Sequence, residues 1–501
     1  MIKTPKQYLE SIRDGRVVYS EGKKVADVTK DKVLGLCANI CAWDYEAGQM
    51  PEFADTFNTK DADGEPISFV FVPAKNAEDL LRRREIIQTL TRICMGMPAG
   101  AKFTGIDTLN SITVNSRIID KATGSNYTGR VEEYRKFLSK NDLSVVAGVT
   151  CVKGDRSLRP SKQVQHKDFY LHIVEETKEH GEAGIIIRGA KMFNSMGCCA
   201  NECICLPTRA MGEEDKDYAV ACAVPINAKG VTVISSMEEF FDDRSNEFDF
   251  PLATTRHTGS GTTIFEDVFV PMDRVFLNKE YKYSPNFTYM FADFHRLSAD
   301  AYKYIQLEMM AGIGKLLAEY NGIDKVAHVN DKLSWLVMYA ESVEALGRAA
   351  CQFCVKLPDS DLVYPNPTYS NCAKFQFANN YHEAVKILQD LAGGLPASVF
   401  SSRDYFNAAT KPLIDKYFAG KAGVPTEHRL RLMRLVKDLT NSFDAVTTVH
   451  AEGSLAAQRL SIFSLADWDR YKASAKRASR IDDGTKHPIF SKLPKFPKDF
   501  A

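Results

Sequence analysis

Two stretches near the middle of the chain decide its organisation: VVAGVTCVKGDRSLRP at residues 145–160 and GIIIRGAKMFNSMG at residues 184–197. In each stretch a β-type run, Val145–Thr150 or Gly184–Arg188, gives way to a loop that carries small polar or basic side chains. This pattern predicts two strands that form a wall for a flat polar ring, because amides and hydroxyls there can hydrogen-bond its edge. From these residues alone, a β-hairpin with a solvated basic loop remains the alternative.

The composition indicates a globular protein with more than one packed unit, since 501 residues exceed a comfortable single core. The 64 basic side chains balance the 64 acidic ones, which gives no reason to expect nucleic acid or a membrane surface as a partner. No apolar run reaches membrane-spanning length, and the first residues, MIKTPKQYLESIRDGR, lack the apolar core of a secretory signal. We therefore expect a soluble, cytoplasmic protein.

The pattern along the chain predicts an α+β protein in three parts. Residues 1–144 are mainly helical, residues 145–280 are short strands of an antiparallel β domain, and residues 281–501 form a helical bundle. A long helical pattern at residues 371–392 is stopped by two glycines. The basic, proline-spaced tail at residues 486–501, KHPIFSKLPKFPKDFA, is typical of an extended arm lying on a neighbouring subunit.

The 12 cysteines are expected to stay reduced in the cytoplasm. Four of them, Cys198, Cys199, Cys203 and Cys205, crowd one segment. The run CICLP alternates as a strand does, and no pair of CxxC units at zinc-site spacing is present. We therefore expect core packing and no metal.

Several motifs then resemble one known family: GVTCVKGDRSLRP, IIIRGAKMFNSMG and DKDYAVACAVPINAKGV, at residues 148–160, 185–197 and 215–231. They are similar to the flavoprotein family that contains 4-hydroxybutyryl-CoA dehydratase and 4-hydroxyphenylacetate 3-hydroxylase. That family shares its architecture with the acyl-CoA dehydrogenases. The resemblance extends over about residues 80–460 and implies FAD, an acyl-CoA dehydrogenase-like fold and a homotetramer.

The resemblance also assigns the residues that contact the cofactor. Thr150, Lys153, Arg156, Asn194 and Ser195 would line the flavin ring or its surroundings. In LQDLAGGLP, the resemblance places a glutamine and a glycine pair on the flavin's diphosphate and adenosine, across a subunit boundary: Gln389, Gly393 and Gly394. Without the family, the first group fits a solvated turn and the second a simple helix stop.

Three further residues would carry the chemistry. His295 in FADFHRLSADAYK matches the histidine of the dehydratase segment, and Lys303 matches a lysine eight residues later. Glu452 in HAEGSLAAQRL resembles the glutamate with which acyl-CoA dehydrogenases remove an α-proton. We interpret His295 as a general base and Glu452 as a second acid–base group. A packed histidine and a solvated carboxylate are the alternatives that the residues leave open.

The sequence departs from both branches of the family. The resemblance puts Ala99, Phe103 and Tyr302 where the dehydratase has the cysteines of its iron–sulfur cluster, and only His295 remains. Iron–sulfur ligation needs thiolates, so we expect no cluster. The phenol-binding groups of the hydroxylase are also missing, because their positions fall near Gly105, Leu109 and Ala147.

These residues together predict a cluster-free, FAD-dependent enzyme of the dehydratase branch that removes a proton from an acyl-CoA thioester. The reaction would be double-bond isomerisation, elimination of water or α,β-dehydrogenation, with an electron carrier as a possible partner. The alternative is a two-component monooxygenase that uses reduced flavin from a separate reductase. A third interpretation, a scaffold without cofactor, is disfavoured by Thr150, Asn194, Ser195 and the glycine pair.

Overall fold

A computed structural model of the chain describes residues 2–100, 102–179, 181–236, 246–479 and 481. The extended arm predicted for residues 486–501 lies outside these described residues. No helix in this part of the chain is both long and apolar enough to span a membrane.

The N-terminal third is mainly helical, as predicted. Its helices are α1 Pro5–Ser11, α2 Leu34–Ala47, α3 Ala54–Phe57, α4 Ala77–Ile93, α5 Phe103–Thr123 and α6 Tyr127–Lys140. Asn76 caps α4 by accepting a hydrogen bond from the amide of Asp79 at 3.0 Å. Helix α5 starts after the MPAG break at residues 97–100 and ends at Gly124, whose φ of 73° is the left-handed conformation that closes a helix.

The middle of the chain supplies most of the β structure. The strands are β1 Val17–Ser20, β2 Lys23–Val25, β3 Asn58–Lys60, β4 Pro66–Ser68, β5 Val145–Gly148, β6 His172–Glu179, β7 Glu182–Met192, β8 Glu202–Cys205, β9 Val220–Pro225, β10 Val231–Ser235, β11 Gly261–Pro271, β12 Val275–Asn278, β13 Val355–Lys356 and β14 Val363–Tyr364. In the described chain they form a six-stranded sheet in the order β2-β1-β10-β11-β7-β6 and a four-stranded sheet in the order β12-β9-β8-β5, besides two short hairpins.

Strand pairing in the two larger sheets is mainly antiparallel, with two parallel pairs. Strand β1, which comes from the N-terminal third, pairs in parallel with β10, and β5 pairs in parallel with β8. The boundary predicted at residue 144 therefore marks a change in sequence pattern from helical to β, whereas the residues on its two sides pair and pack with each other. One apolar core runs from α2 and α5 into both sheets and includes Ile40, Ile106, Ile187, Ile204 and Val233.

The C-terminal part is the predicted helical bundle. Its helices are α7 Ser284–Tyr320, α8 Ala327–Gln352, α9 Pro367–Ala392, α10 Leu395–Ser398, α11 Ser402–Tyr405, α12 Lys411–Tyr417, α13 Thr426–Thr440, α14 Phe443–Thr447, α15 Leu455–Leu465 and α16 Trp468–Ala478. Helices α7, α8 and α9 share a second apolar core around Leu317, Val343 and Leu388.

Two boundaries in the bundle differ from the sequence patterns for local reasons. The side-chain oxygen of Asn366 caps α9 by accepting hydrogen bonds from the amides of Thr368 and Tyr369, so this helix begins four residues before the apolar pattern. It ends at Gly393, as predicted. The sequence pattern of residues 454–480 predicts one helix, but the described residues form two, α15 and α16, because the chain turns at Ala466 with extended backbone. Helix α7, with 37 residues and a length of about 55 Å, is the longest continuous element among those described.

Gly105 joins α5 to the β domain by close backbone contact. A Cβ atom at this position would lie 2.3 Å from the carbonyl oxygen of Val145, the first residue of β5. We expect Gly105→Ala to push the helix from the strand and to reduce the free energy of unfolding by about 1–3 kcal/mol. A matched control is Gly312→Ala in α7, where a Cβ meets nothing within 4 Å and should add up to about 1 kcal/mol of helix stability. Equal thermal unfolding midpoints for the two variants would contradict a backbone contact between Gly105 and Val145 that leaves no room for a side chain.

Candidate active site

Helix α7 carries two of the three predicted catalytic residues, His295 and Lys303, together with Tyr302, while Glu452 lies in the loop before α15. His295, Tyr302 and Lys303 lie about two turns apart on this helix. Lys303 is almost completely buried, whereas His295 and Tyr302 are only partly buried. The structure therefore places these polar groups inside the bundle, where each needs a partner.

The partner of His295 is a buried aspartate of α5. Asp107 is fully buried, and its Oδ2 lies 2.9 Å from Nδ1 of His295. The other carboxylate oxygen accepts hydrogen bonds from Ser298 at 2.9 Å and Arg83 at 3.1 Å. Phe291 stacks on the imidazole with ring centroids 4.8 Å apart. Because the carboxylate holds the proton on Nδ1, Nε2 is the nitrogen that can accept a proton from another molecule.

Glu452 binds two residues of α7. Its Oε2 lies 2.8 Å from the ammonium of Lys303, and both side chains are at most 5% exposed. The hydroxyl of Tyr302 donates a very short hydrogen bond to Oε1 of Glu452. Lys303 in turn donates to the Tyr302 hydroxyl at 3.1 Å. Glu452 adopts a left-handed φ of 55°, so the backbone turns sharply at the point where the carboxylate enters the site.

The electrostatic environment shifts the pKa values of two carboxyl groups in opposite directions. Burial opposes ionisation of Glu452, but the charges of Lys303, Lys374 and His295 outweigh it and lower its pKa to about 2. Burial raises the pKa of Asp300 well above 3.8, and among the described residues nothing hydrogen-bonds its carboxyl oxygens. Burial, with the nearby charge of Lys303, lowers the pKa of Lys374 to about 8. The surroundings of the site thus shift the pKa values of these two carboxyl groups in opposite directions, downwards for Glu452 and upwards for Asp300.

The loop that carries Glu452 is held by residues of two helices. Arg296 donates to the backbone oxygen of Glu452 at 3.4 Å and to Asn371 at 2.7 Å. Lys374 donates to the backbone oxygen of Thr448 at 3.4 Å. Sequence reasoning missed Asp107, Asp300 and Lys374. The signal that the sequence offers for them is a charged residue within a long helical pattern, where apolar residues are expected on the buried face.

Apolar and hydroxyl side chains stand at the three positions where the motif resemblance predicts the cluster cysteines of the dehydratase, Ala99, Phe103 and Tyr302. Ala99 is fully buried and Phe103 nearly so. The rings of Phe103 and Tyr302 have centroids 6.3 Å apart, and Phe103 also packs on Ile87 and Ala301. None of these three side chains offers a thiolate.

The predicted flavin residues of the β domain do come together. The amide of Met192 donates to the carbonyl of Thr150 at 2.8 Å, which joins the end of β5 to the end of β7. Asn194 donates from Nδ2 to the carbonyl of Ala147 at 2.7 Å. Its buried Oδ1 has no hydrogen-bond partner in the described chain. Ser195 follows directly and is half-buried, so this edge offers hydroxyl and amide groups to a polar ring.

Lys153 and Arg156 follow Thr150 in a loop at the same edge. Lys153 has a left-handed φ of 78°, and its amide donates to Phe169 at 3.2 Å. Burial, helped by the charge of Arg156, lowers the pKa of Lys153. Arg156 itself is exposed.

The glutamine and glycine pair lie elsewhere. Gln389, Gly393 and Gly394 are exposed at the C-terminal end of α9. They are 18 residues or more from Asn371, which corresponds to about 27 Å along the helix. A single chain therefore does not bring them to the site around Glu452.

Solved structures share this architecture along the whole chain. The oxygen-tolerant archaeal 4-hydroxybutyryl-CoA dehydratase from N. maritimus superposes with a TM-score of 0.88 at 27% identity and covers 100% of both chains. The oxygenase component of 4-hydroxyphenylacetate 3-monooxygenase, complexed with FAD, has the same fold, with a TM-score of 0.85 at 22% identity over 95% of this chain and 98% of that one. The chain is thus an enzyme with the acyl-CoA dehydrogenase-like fold.

Family profiles then name the group within that class. The profiles 4-hydroxyphenylacetate 3-hydroxylase N terminal and C terminal match residues 4–277 and 284–480. The 4-hydroxybutyryl-CoA dehydratase/vinylacetyl-CoA-Δ-isomerase of Clostridium aminobutyricum is 31% identical over 96% of this chain and 100% of its own length. The chain belongs to the 4-hydroxyphenylacetate 3-hydroxylase family, which confirms the resemblance seen in its motifs.

The buried ion pair makes a measurable prediction. Lys303→Met leaves the Glu452 carboxylate without its nearest cation, and we expect a loss of about 3–5 kcal/mol in the free energy of unfolding at pH 7. The pKa of Glu452 is lowered, so its stabilising effect is complete above 4.5 and is lost as the pH falls from 4.5 towards 2. The difference between wild type and variant should narrow over that range in urea unfolding.

Two controls accompany this measurement. Lys121→Met breaks an ion pair with Asp359 in which both side chains are more than 70% exposed, and it should cost about 0–1 kcal/mol. Adding Glu452→Gln to Lys303→Met should recover part of the lost stability. A Lys303→Met variant as stable as Lys121→Met would contradict the pairing.

Proposed function

We propose that this chain is a FAD-dependent enzyme that removes a proton from an acyl-CoA thioester, in the manner of 4-hydroxybutyryl-CoA dehydratase/vinylacetyl-CoA-Δ-isomerase. The observation that carries the proposal is the joint position of two acid–base groups. His295 and Lys303 lie about two turns apart on α7, and the ammonium of Lys303 lies 2.8 Å from the carboxylate of Glu452. Each group has its own support, Asp107 for His295 and Lys303 for Glu452.

His295 is the proposed general base. Imidazole suits proton removal at neutral pH, and Asp107 orients the ring so that Nε2 is the accepting nitrogen. Asp107 also stabilises the imidazolium that forms when the proton arrives. Asp107 is therefore a positioning residue, fixed by Ser298 and Arg83.

Glu452 is the proposed second acid–base group, although a carboxylate with a pKa of about 2 is a weak base. Substrate that displaces Lys303 or Tyr302 from this carboxylate would raise the pKa and make proton transfer easier. The Tyr302 hydroxyl, bonded to both Glu452 and Lys303, can carry a proton between the carboxylate and the substrate. Proton removal at one carbon and delivery at another is the chemistry of double-bond isomerisation.

A flavin ring fits the edge formed by Thr150, Asn194 and Ser195, since the buried Oδ1 of Asn194 there needs a donor. Bound FAD would supply the electron acceptor for α,β-dehydrogenation. The exposed Gln389, Gly393 and Gly394 would hold the diphosphate and adenosine of a flavin bound to a neighbouring copy, which accords with a homotetramer. Lys153 and Arg156 are the proposed basic contacts beside the ring.

The site favours a thioester over a phenol. At the positions of the hydroxylase's phenol-binding groups, Gly105 contacts β5 through its backbone, Leu109 is fully buried in the core, and Ala147 accepts the hydrogen bond of Asn194. No side chain at these three positions can orient a phenolate. We therefore keep the two-component monooxygenase, with its flavin reductase, as the alternative that the experiments below would reveal.

The proposal includes no iron–sulfur cluster, because Ala99, Phe103 and Tyr302 provide no thiolates. It also keeps the cytoplasm as the proposed location. An electron carrier is required as a partner only if electrons leave the flavin.

The first test is a visible spectrum of anaerobically purified protein, with iron and sulfide measured on the same sample. We expect flavin bands without stoichiometric iron or sulfide, followed by isomerisation or dehydrogenation of acyl-CoA thioesters in turnover assays. Stoichiometric iron and sulfide would overturn the cluster-free assignment. Protein without flavin that hydroxylates phenols when supplied with reduced flavin would replace the proposal by the monooxygenase.

The second test assigns the two acid–base groups. His295→Ala should lower turnover by at least about 100-fold while flavin stays bound, because the imidazole is not a cofactor ligand. Glu452→Gln should slow exchange of the thioester's α-hydrogens in D2O, followed by NMR. The exposed His328→Ala on α8 is the matched control and should change neither quantity. Loss of flavin from His295→Ala would show a structural role, and unchanged exchange would remove Glu452 from the mechanism.

A further inference from the structure

A group of buried thiols outside the proposed active site has no role in the function described above. It consists of Cys37 and Cys41 on α2 with Cys198 and Cys199 in the 3-10 turn Gly197–Cys199, and all four are fully buried. We refer to these four residues as the thiol cluster. The Sγ atoms of Cys37, Cys198 and Cys199 all lie within 4.8 Å of one another. In the part of the chain that the structure describes, this is the one set of three metal-binding side chains so close together.

The spacing of the sulfurs suits a tetrahedral metal site. Zinc–sulfur bonds of about 2.3 Å place the sulfurs of such a site about 3.8 Å apart. The Sγ atoms of Cys198 and Cys199 are 3.7 Å apart. Cys41 lies one helical turn after Cys37, so both thiols project from one face of α2. The Sγ atom of Cys41 donates to the thioether of Met196 at 3.4 Å, and interaction with the neighbouring thiols of Cys199 and Cys37 lowers the pKa of Cys41. Cys41 is therefore the nearby candidate for a fourth ligand, beside the three thiols that lie within 4.8 Å of one another.

The surroundings of the thiol cluster are closed and contain a cation. Gly259 has a left-handed φ of 52°, and a Cβ there would lie 2.9 Å from Sγ of Cys37 and 3.0 Å from Sγ of Cys198. A side chain at this position would fill the space beside the sulfurs. The buried guanidinium of Arg16 donates to the backbone oxygens of Cys198 at 2.9 Å and Ala200 at 2.6 Å. The same guanidinium also donates to both carboxylate oxygens of Asp14, at 2.8 and 2.7 Å, so Asp14 and Arg16 together fix the backbone of the turn that carries the thiols.

We propose that Cys37, Cys198 and Cys199, with Cys41 as the fourth thiol, bind a thiophilic divalent cation of the zinc type. Binding converts the coordinating thiols to thiolates and releases their protons to solvent. With four sulfurs the site is closed, and so the metal has a structural role. It would fasten the turn that follows Asn194 and Ser195 to α2, and would thereby hold the edge proposed for the flavin.

This site differs from the cluster position of the family relatives. The resemblance places that position at Ala99, Phe103, His295 and Tyr302, and none of these residues belongs to the thiol cluster. The expectation of core packing without metal came from the alternation of CICLP, which describes Cys203 and Cys205 on β8. Cys198 and Cys199 lie before that strand, in a turn that the folded chain brings to α2.

The test is metal analysis of the full-length protein. Protein produced with added zinc and dialysed against metal-free buffer should keep about one zinc per chain, and Cys198→Ser and Cys37→Ser should each keep less than about a tenth of that. Replacement of the metal by Co2+ in wild type should produce the visible bands of tetrahedral thiolate-bound cobalt. Zinc is colourless, so zinc bound at the thiol cluster does not alter the visible spectrum that tests for flavin and iron. The zinc analysis and the flavin and iron measurements are therefore independent.

Cys203→Ser is the matched control. Its thiol is equally buried and lies 3.8 Å from that of Cys205, but it belongs to no group of three close ligands among the described residues. This variant should retain the metal. Wild-type protein that binds neither zinc nor Co2+ would overturn the proposal, as would metal retained in both Cys198→Ser and Cys37→Ser. The wild-type cobalt spectrum keeps the test decisive if a serine variant fails to fold.

Discussion

A buried ion pair between α7 and the loop before α15 organises the candidate active site. Lys303 and Glu452 are withdrawn from water almost completely, and two such charges persist inside a protein only when they satisfy each other. Because Lys303 is fixed on a long helix, the loop before α15 must place the Glu452 carboxylate beside it. The loop makes this possible with a left-handed backbone at Glu452 and hydrogen bonds from Arg296 and Lys374. The position of Glu452 in the site thus follows from the high free-energy cost of burying the Lys303 ammonium without a partner.

The same constraint explains the role of Tyr302. Family resemblance places a cluster cysteine at this position, and here a phenol occupies it with its ring against Phe103. Its hydroxyl is bonded to both members of the ion pair. In the proposed function this residue thus stands in place of a thiolate and supplies a hydroxyl to the acid–base pair. We interpret this exchange as a shift from cluster chemistry towards proton transfer beside a flavin.

The β domain and the helices meet where α5 packs directly on β5. The close approach at Gly105 brings Asp107, one half-turn later, towards α7 and its histidine, while the strand end at Thr150 stays beside the turn at Asn194. Proton-transfer residues and cofactor residues come from different layers of the fold. Their relative placement follows from one helix–strand contact that tolerates no side chain.

The sequence by itself determined the class of the fold, the order of its three parts and most of the candidate residues. Short β-branched runs, long apolar helix patterns and the terminating glycine at 393 are local signals, and the folded chain follows them. Motif resemblance named His295, Lys303 and Glu452. Only the tertiary structure decided the parallel addition of β1 to the main sheet, the support of His295 by Asp107, the opposite pKa shifts of Glu452 and Asp300, and the close approach of the thiols of Cys37, Cys198 and Cys199. These features join residues far apart in the chain, and their energies come from burial and charge, which the linear pattern does not contain.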